Sequence, residues 1–279
     1  MASLRYVVAD VFTDTPLTGN QLAVFTDGRD LDDETMQDLA REMAYSETVF
    51  VLPPENDGHA RIRIFTPSAE LPFAGHPILG TAFVLAAPLQ LGEINLETGS
   101  GVVPVTLERE GARIIFGRMR QPVPEYELFE QADELQELLG VRSGLPVELY
   151  HLGPGHVYLE LGSEEEVAGL RPDFGALGQL TDMCVNCFAG SGKRWKTRMF
   201  APTSGVAEDP ATGSAAGPLA MHLSRHGRIS FGDEIEISQG AELKRPSKLF
   251  ARCDGTPEQI EGVEVGGSAV IVARGEFRL

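Results

Sequence analysis

Basic residues are scarce in this sequence: 23 Lys and Arg stand against 41 Asp and Glu, a formal charge of −18. So acidic a chain repels phosphate backbones and anionic lipid headgroups, and neither nucleic acid nor a membrane is an expected partner. Long apolar runs are missing too. No stretch approaches the roughly 18 apolar residues of a membrane span. The opening MASLRYVV has no basic segment followed by an apolar core, so a cytoplasmic location is expected. Cysteine is limited to Cys184, Cys187 and Cys253, which cannot all pair and do not make a secreted disulfide framework. Cys184-Val185-Asn186-Cys187 has the spacing of a redox motif or of half a zinc site. No second CxxC or His pair completes such a site, and the flanking Met183, Val185 and Phe188 favour a buried strand, where cysteine acts as a small hydrophobe. The dinucleotide fingerprint and the P-loop are also absent. Neither metal nor cofactor is expected.

What the chain does have is a repeat. RIRIFTP at 61–67 is echoed by KTRMFAP at 196–202, and each is followed by a small-residue turn and an apolar run. The first copy continues through Phe73-Ala74-Gly75-His76-Pro77, the second through Ala211-Thr212-Gly213-Ser214-Ala215. A strand that passes through a glycine turn into a helix start leaves unpaired N–H groups pointing forward, which makes each copy a half-site for an anion. Facing each other, two such halves would form one cleft with different side chains on its two sides. With 279 residues, 42% of them apolar, the chain is long enough for two domains of similar size.

Strands are expected at Tyr6 to Phe12, Leu22 to Phe25 and Val49 to Leu52, and strand-like runs at 90–97, 103–108, 113–117, 147–151 and 156–161. Asp30 to Met43 has helical spacing of Met36, Leu39, Ala40 and Met43, and shorter amphipathic helices are expected near 130–140 and 163–169. His76 to Leu85 and Ser214 to Leu223 are apolar on every side, so other structure must wrap them. The simplest wrapping is a curved, mostly antiparallel sheet around each helix, an α+β architecture. The prolines at 122 and 124 mark the crossing between halves, and Ala269 to Ala273 reads as a strand returning to the first domain.

Glu47, between Ser46 and Thr48 at the entry of an apolar strand, is either a solvated carboxylate at an edge or one held over a cleft. His76 either caps its helix or faces a ligand, and helix-start N–H groups disfavour its charged form. Asp209 and Ser214 lie where an acidic group complements a helix dipole and a hydroxyl caps a first turn, roles compatible with ligand contact. The basic cluster from Lys193 to Arg198 is either a solvated loop and strand edge or an attractor for an anionic substrate.

Over nearly its whole length the chain resembles the PhzF-like branch of the diaminopimelate-epimerase fold. Ser46-Glu47, AGHP at 74–77 and ATGSAAGP at 211–218 carry the superfamily likeness; GPGHV at 153–157, VNCFAG at 185–190 and RMFAP at 198–202 point to the phenazine branch. The resemblance implies two pseudo-symmetric domains with the active site in the cleft between them: 1–120, completed by a strand within 263–279, and 121–262. It implies a cofactor-independent isomerase of trans-2,3-dihydro-3-hydroxyanthranilate, a small anionic cyclic amino acid, acting as a homodimer. It assigns Glu47, His76 and Asp209 to catalysis and Ser46, Gly75, Gly213 and Ser214 to substrate binding. Diaminopimelate epimerases use one cysteine thiol per half; here those positions resemble Ala74 and Thr212, so two-thiol chemistry is not expected. Thr48 and Glu208-Asp209-Pro210 depart from the phenazine enzymes. They leave open an isomerase of another small cyclic amino or hydroxy acid. A non-catalytic binder of small acids is the third reading; retention of Glu47, His76 and Asp209 together argues against it.

Overall fold

The computed structural model describes residues 3–279, which fall into two compact units, one of residues 3–120 with Gly266–Leu279 and one of Gln121–Val265. The first unit is built in chain order from β1 (Ser3–Val11), β2 (Asn20–Phe25), α1 (Asp33–Met43), β3 (Glu47–Leu52), β4 (Ala60–Phe65), β5 (Glu70–Leu71), α2 (Gly75–Leu89), β6 (Glu93–Thr98), β7 (Gly101–Glu110) and β8 (Arg113–Gln121). The second unit contains β9 (Glu125–Leu128), α3 (Ala132–Leu139), β10 (Glu148–His151), β11 (Gly155–Glu160), α4 (Glu164–Gly169), α5 (Phe174–Leu180), β12 (Cys184–Ser191) and β13 (Arg194–Ala201). It continues with β14 (Val206–Asp209), α6 (Gly213–Arg225), β15 (Glu234–Gln239), β16 (Ser247–Gly255) and β17 (Ile260–Gly267); β18 (Ala269–Arg278) then pairs antiparallel with β1 in the first unit.

The repeat seen in the sequence is a repeat of pairing. In the first unit β1–β2 is antiparallel, β2–β3 parallel, β3–β4 and β4–β5 antiparallel, β4–β6 parallel and β6–β7 antiparallel. The second unit reproduces this step for step, from β10–β11 through β11–β12, β12–β13, β13–β14 and β13–β15 to β15–β16. β4 is the strand of the RIRIFTP segment and β13 that of KTRMFAP; the equivalent helices are α2 and α6.

Strand alternation decides what each helix sees. In β2 and β3, Phe25 and Phe50 turn to one face, where they stack at 4.9 Å and pack with Met36, Leu39 and Ala40 of α1. Residues an odd number of positions away, Leu22 and Glu47 among them, turn to the face that carries α2. That helix approaches the sheet closely at Gly80, where a Cβ would lie 2.6 Å from the Leu22 side chain and 2.7 Å from that of Val11. In the second unit Val157, Val185 and Cys187 pack with Leu135, Val167 and Leu177 of α3 to α5, so His156, Tyr158 and Asn186 turn to the α6 face. Both central helices are buried over nearly all their length, which explains why neither has a polar stripe.

Element ends differ from the sequence expectations for local reasons. α1 starts at Asp33 rather than Asp30, because the Asp32 carboxylate caps it by accepting from the Thr35 N–H at 2.8 Å. α2 runs on to Leu89 with Pro88 inside its last turn, which delays the following strand to Glu93. The short strand β9 lies within the segment expected only to cross between halves.

Candidate active site

Three local devices deliver the first group of polar side chains. Gly19 turns the chain at φ +69°, where a Cβ would stand 2.4 Å from the Val11 carbonyl oxygen, and so places Asn20 as the first residue of β2. Ala44 ends α1 in the left-handed conformation, and the chain then enters β3 at Glu47, opposite Leu22. Gly75 opens α2 and sets His76 in its first turn.

The outcome is a buried cluster. His76 Nδ1 lies 3.4 Å from Glu47 Oε2 and 3.3 Å from Asn20 Nδ2, and the Ser46 hydroxyl donates to Asn20 Oδ1 at 3.4 Å. The His76 side chain is 3% exposed and that of Glu47 15%. Burial pushes the His76 pKa down to about 3, against a smaller upward pull from the Gln21 backbone, so the ring is neutral near pH 7. His76 does not cap its helix: Ala74 is the N-cap and makes no side-chain cap bond. Burial, rather than the helix start invoked above, is the leading cause of its neutrality. Because Asn20 Nδ2 faces the same ring nitrogen and the ring stays neutral, Glu47 is the group of this pair suited to take a proton.

The second group is assembled by the equivalent elements. Asp209 ends β14, and its Oδ2 accepts from the Thr212 hydroxyl at 2.7 Å. Gln239 of β15 locks this turn: its Nε2 donates to the Asp209 carbonyl oxygen at 2.8 Å and to Thr212 Oγ1 at 2.9 Å. Thr212 is thus a hydroxyl donor to Asp209. Gly213 starts α6, and the Ser214 side chain, rather than capping the helix, meets His156 Nε2 at 3.1 Å. Tyr158 anchors the same turn by donating to the Ala215 carbonyl at 2.7 Å.

The structure therefore joins Ser46, Glu47, Gly75 and His76 in one local group and Asp209, Gly213 and Ser214 in another. Sequence reading missed Asn20, His156, Asn186 and Gln239 as residues of these groups. Asn20 is visible only as the second half of a turn pair, and His156 only as part of GPGHV.

Two other motifs resolve differently. In the basic cluster only the exposed Lys193 and Arg194 fit a solvated edge. Lys196 pairs with Glu242 at 2.7 Å, and Arg198 is buried, clasping Glu208 through two 2.8 Å bonds and donating to the Leu170 carbonyl. With these charges neutralised internally, attraction of substrate by Lys196 and Arg198 is not supported. Glu148, His222 and His226 converge with metal-ligand chemistry, but Arg225 already holds Glu148 Oε2 at 2.6 Å. The Tyr150 hydroxyl donates to the same oxygen at 2.8 Å and His222 Nδ1 lies 3.0 Å from it. A guanidinium at that oxygen makes this an ion-paired anchor for the end of α6.

Residues 9–275 match the model of the PhzC-PhzF family, described as phenazine biosynthesis-like protein. The protein belongs to that family. Among curated relatives, a trans-2,3-dihydro-3-hydroxyanthranilate isomerase from Pseudomonas aeruginosa is 51% identical over 276 residues, covering 99% of each chain. A PhzF-family phenazine biosynthesis protein of Bacillus anthracis shares the fold, with TM-score 0.85 at 24% identity and full coverage of both chains. A predicted epimerase of Pseudomonas aeruginosa superposes with TM-score 0.82 at 33% identity, over 98% of this chain and 99% of its own. The expected fold class, an α+β epimerase-like architecture, agrees with these PhzF-family neighbours. Among the described residues no helix is long and apolar enough to cross a membrane.

No hydrogen bond links the thiol of Cys187 or Cys253 in this PhzF-family protein to Glu47, His76 or Ser214 among the described residues. All three cysteines are buried and unbridged, and burial raises Cys187 and Cys253 to about 12. Iodoacetamide is expected to leave isomerase activity intact, because all three thiols are buried out of its reach and Cys187 and Cys253 form little thiolate. Substrate-protected inactivation with one equivalent bound at Cys184 or Cys187 would contradict this placement.

Proposed function

We propose that the protein is a trans-2,3-dihydro-3-hydroxyanthranilate isomerase of phenazine biosynthesis, with Glu47 as the proton carrier. The reading rests on one observation above the rest: a half-buried carboxylate 3.4 Å from a neutral, buried histidine, in a chain half identical to an isomerase of that name over its full length. Glu47 takes the proton from C3, the carbon bearing the hydroxyl, while the diene delocalises the developing negative charge. The same carboxylate returns the proton at C1, and the resulting enol relaxes to the ketone. His76 and Asp209 orient the hydroxyl and amino groups and shift protons among heteroatoms. Gly75, Gly213 and Ser214 hold the substrate carboxylate with helix-start N–H groups and a hydroxyl, and Ser46 also binds the substrate.

Proton transfer through a delocalised anion is within the reach of these side chains, so the proposed enzyme works without metal, flavin or nucleotide. It is further proposed to act as a cytoplasmic homodimer. The test is incubation of the purified protein with trans-2,3-dihydro-3-hydroxyanthranilate, followed by absorbance and mass analysis. Enzyme-dependent conversion to an isomer of unchanged mass, and to its condensation products, is expected. A substrate left unchanged, with turnover of another cyclic amino or hydroxy acid, would transfer the function to the second reading of the sequence.

A further inference from the structure

A serine and a histidine in hydrogen-bond contact, with an amide on the far ring nitrogen, resemble a nucleophile and its base. In this protein the polarity is opposite. His156 Nε2 is 3.1 Å from Ser214 Oγ, and Asn186 Nδ2 is 3.4 Å from His156 Nδ1. The orientation of the Asn186 amide follows from its other contacts, since Nδ2 also donates to the carbonyl oxygens of Cys184 at 3.0 Å and Val157 at 3.3 Å. Carbonyl oxygens only accept, so the NH₂ end must face them. That same NH₂ end faces Nδ1, which is therefore an acceptor with no proton of its own. All three side chains are buried, His156 completely, and burial pushes its pKa down to about 3. A neutral ring with a bare Nδ1 carries its proton on Nε2, and that proton points at Ser214 Oγ. His156 cannot then accept the serine proton.

We infer that His156, held in its Nε2–H tautomer by Asn186, is a positioning residue that makes the Ser214 hydroxyl a dedicated donor to the substrate carboxylate. The inference rests on the functional reading above, in which Ser214 meets that carboxylate, and it adds the reason why the hydroxyl proton is not spent on His156. Ser214 Oγ accepts from His156, and no other side-chain hydrogen bond engages it among the described residues. Its own proton is left for an acceptor at the start of α6, where the N–H groups of Gly213 and Ser214 have no partner within the helix. The first unit repeats the arrangement with Asn20 at the start of β2 against His76 in the first turn of α2. Each half thus uses a residue of the equivalent strand, β2 or β11, to set the polarity of the side chain that opens the central helix.

The test has two parts. In wild-type protein labelled with ¹⁵N-histidine, and assigned by loss of the signal in His156→Gln, the His156 proton is expected on Nε2 at neutral pH. A proton on Nδ1 would overturn the inference, and this measurement needs neither substrate nor activity. The second part is a double-mutant cycle with trans-2,3-dihydro-3-hydroxyanthranilate. Asn186→Asp places a carboxylate against Nδ1, draws the proton there and turns the Ser214 hydroxyl toward the ring. It should raise KM by roughly tenfold, the worth of one such hydrogen bond, with kcat little changed, as expected for loss of uniform binding. In the Ser214→Ala background the same change should raise KM no further, because the hydroxyl through which it acts is gone. Additive effects on KM would show that Asn186 acts through general structure and would overturn the proposal. Should the wild-type enzyme not turn over this compound, the substrate reading fails, while the tautomer measurement still decides the role of His156.

Discussion

Glu47→Gln is expected to lower kcat by about 10²- to 10⁴-fold, the range of a lost general base, while KM changes little. The amide keeps the size and planarity of the carboxylate and can still approach His76, so substrate is held as before. It cannot accept the C3 proton, and a neighbouring histidine whose pKa burial has lowered to about 3 is a poor substitute base. An unfolding midpoint close to wild type would show that the loss is chemical. Activity within about tenfold of wild type, below the range of general-base catalysis, would remove Glu47 from the role.

The second large effect is structural. Glu148→Ala is expected to cost about 3–5 kcal/mol of stability, the usual penalty for stripping one partner from a buried ion pair. The Glu148 side chain is 7% exposed and receives Arg225, His222 and Tyr150 on one oxygen. Burial alone would raise its pKa, but His222, Arg225 and Tyr150 together hold it well below the ordinary carboxylate range. Removing the carboxylate leaves the Arg225 guanidinium, half-sandwiched over the Tyr126 ring at 3.3 Å, without its counter-charge. Chemical denaturation would measure the loss. Because β10 and the last turn of α6 are joined through this network, the first turn of α6 with Ser214 should loosen as well. A change below about 1 kcal/mol, the worth of an exposed pair, would mean that the network does not anchor the helix.

The repeated strand, turn and apolar helix are legible in the sequence because they are local: RIRIFTP and KTRMFAP mark equivalent strands, and helices lacking a polar face announce that a sheet surrounds them. Glu47 and His76 are legible for the same reason, as each sits at the start of such an element. The side chains that orient them are not. Asn20 is 56 residues from His76 and His156 is 58 from Ser214, contacts created by sheet register and by which face an alternating strand turns to its helix. α5, at seven residues, is too short for helical periodicity to declare itself. β15 is different: Glu234–Gln239 alternates in polarity and could have been read as a strand, yet nothing in that segment reveals that Gln239 locks the Asp209 turn. The basic cluster misleads because local charge says nothing of the carboxylates, Glu208 and Glu242, that the fold brings against it.

The central claim is that one carboxylate carries a proton from C3 to C1. Substrate deuterated at C3 tests it directly when turned over by the wild-type protein in ordinary water. Mass spectrometry and NMR of product trapped before condensation should find part of the label at C1, on the face from which it left C3, because a shielded carboxylate transfers some of its deuterium before exchanging with solvent. Label delivered to the opposite face would require a second acid and would contradict a single carrier at Glu47.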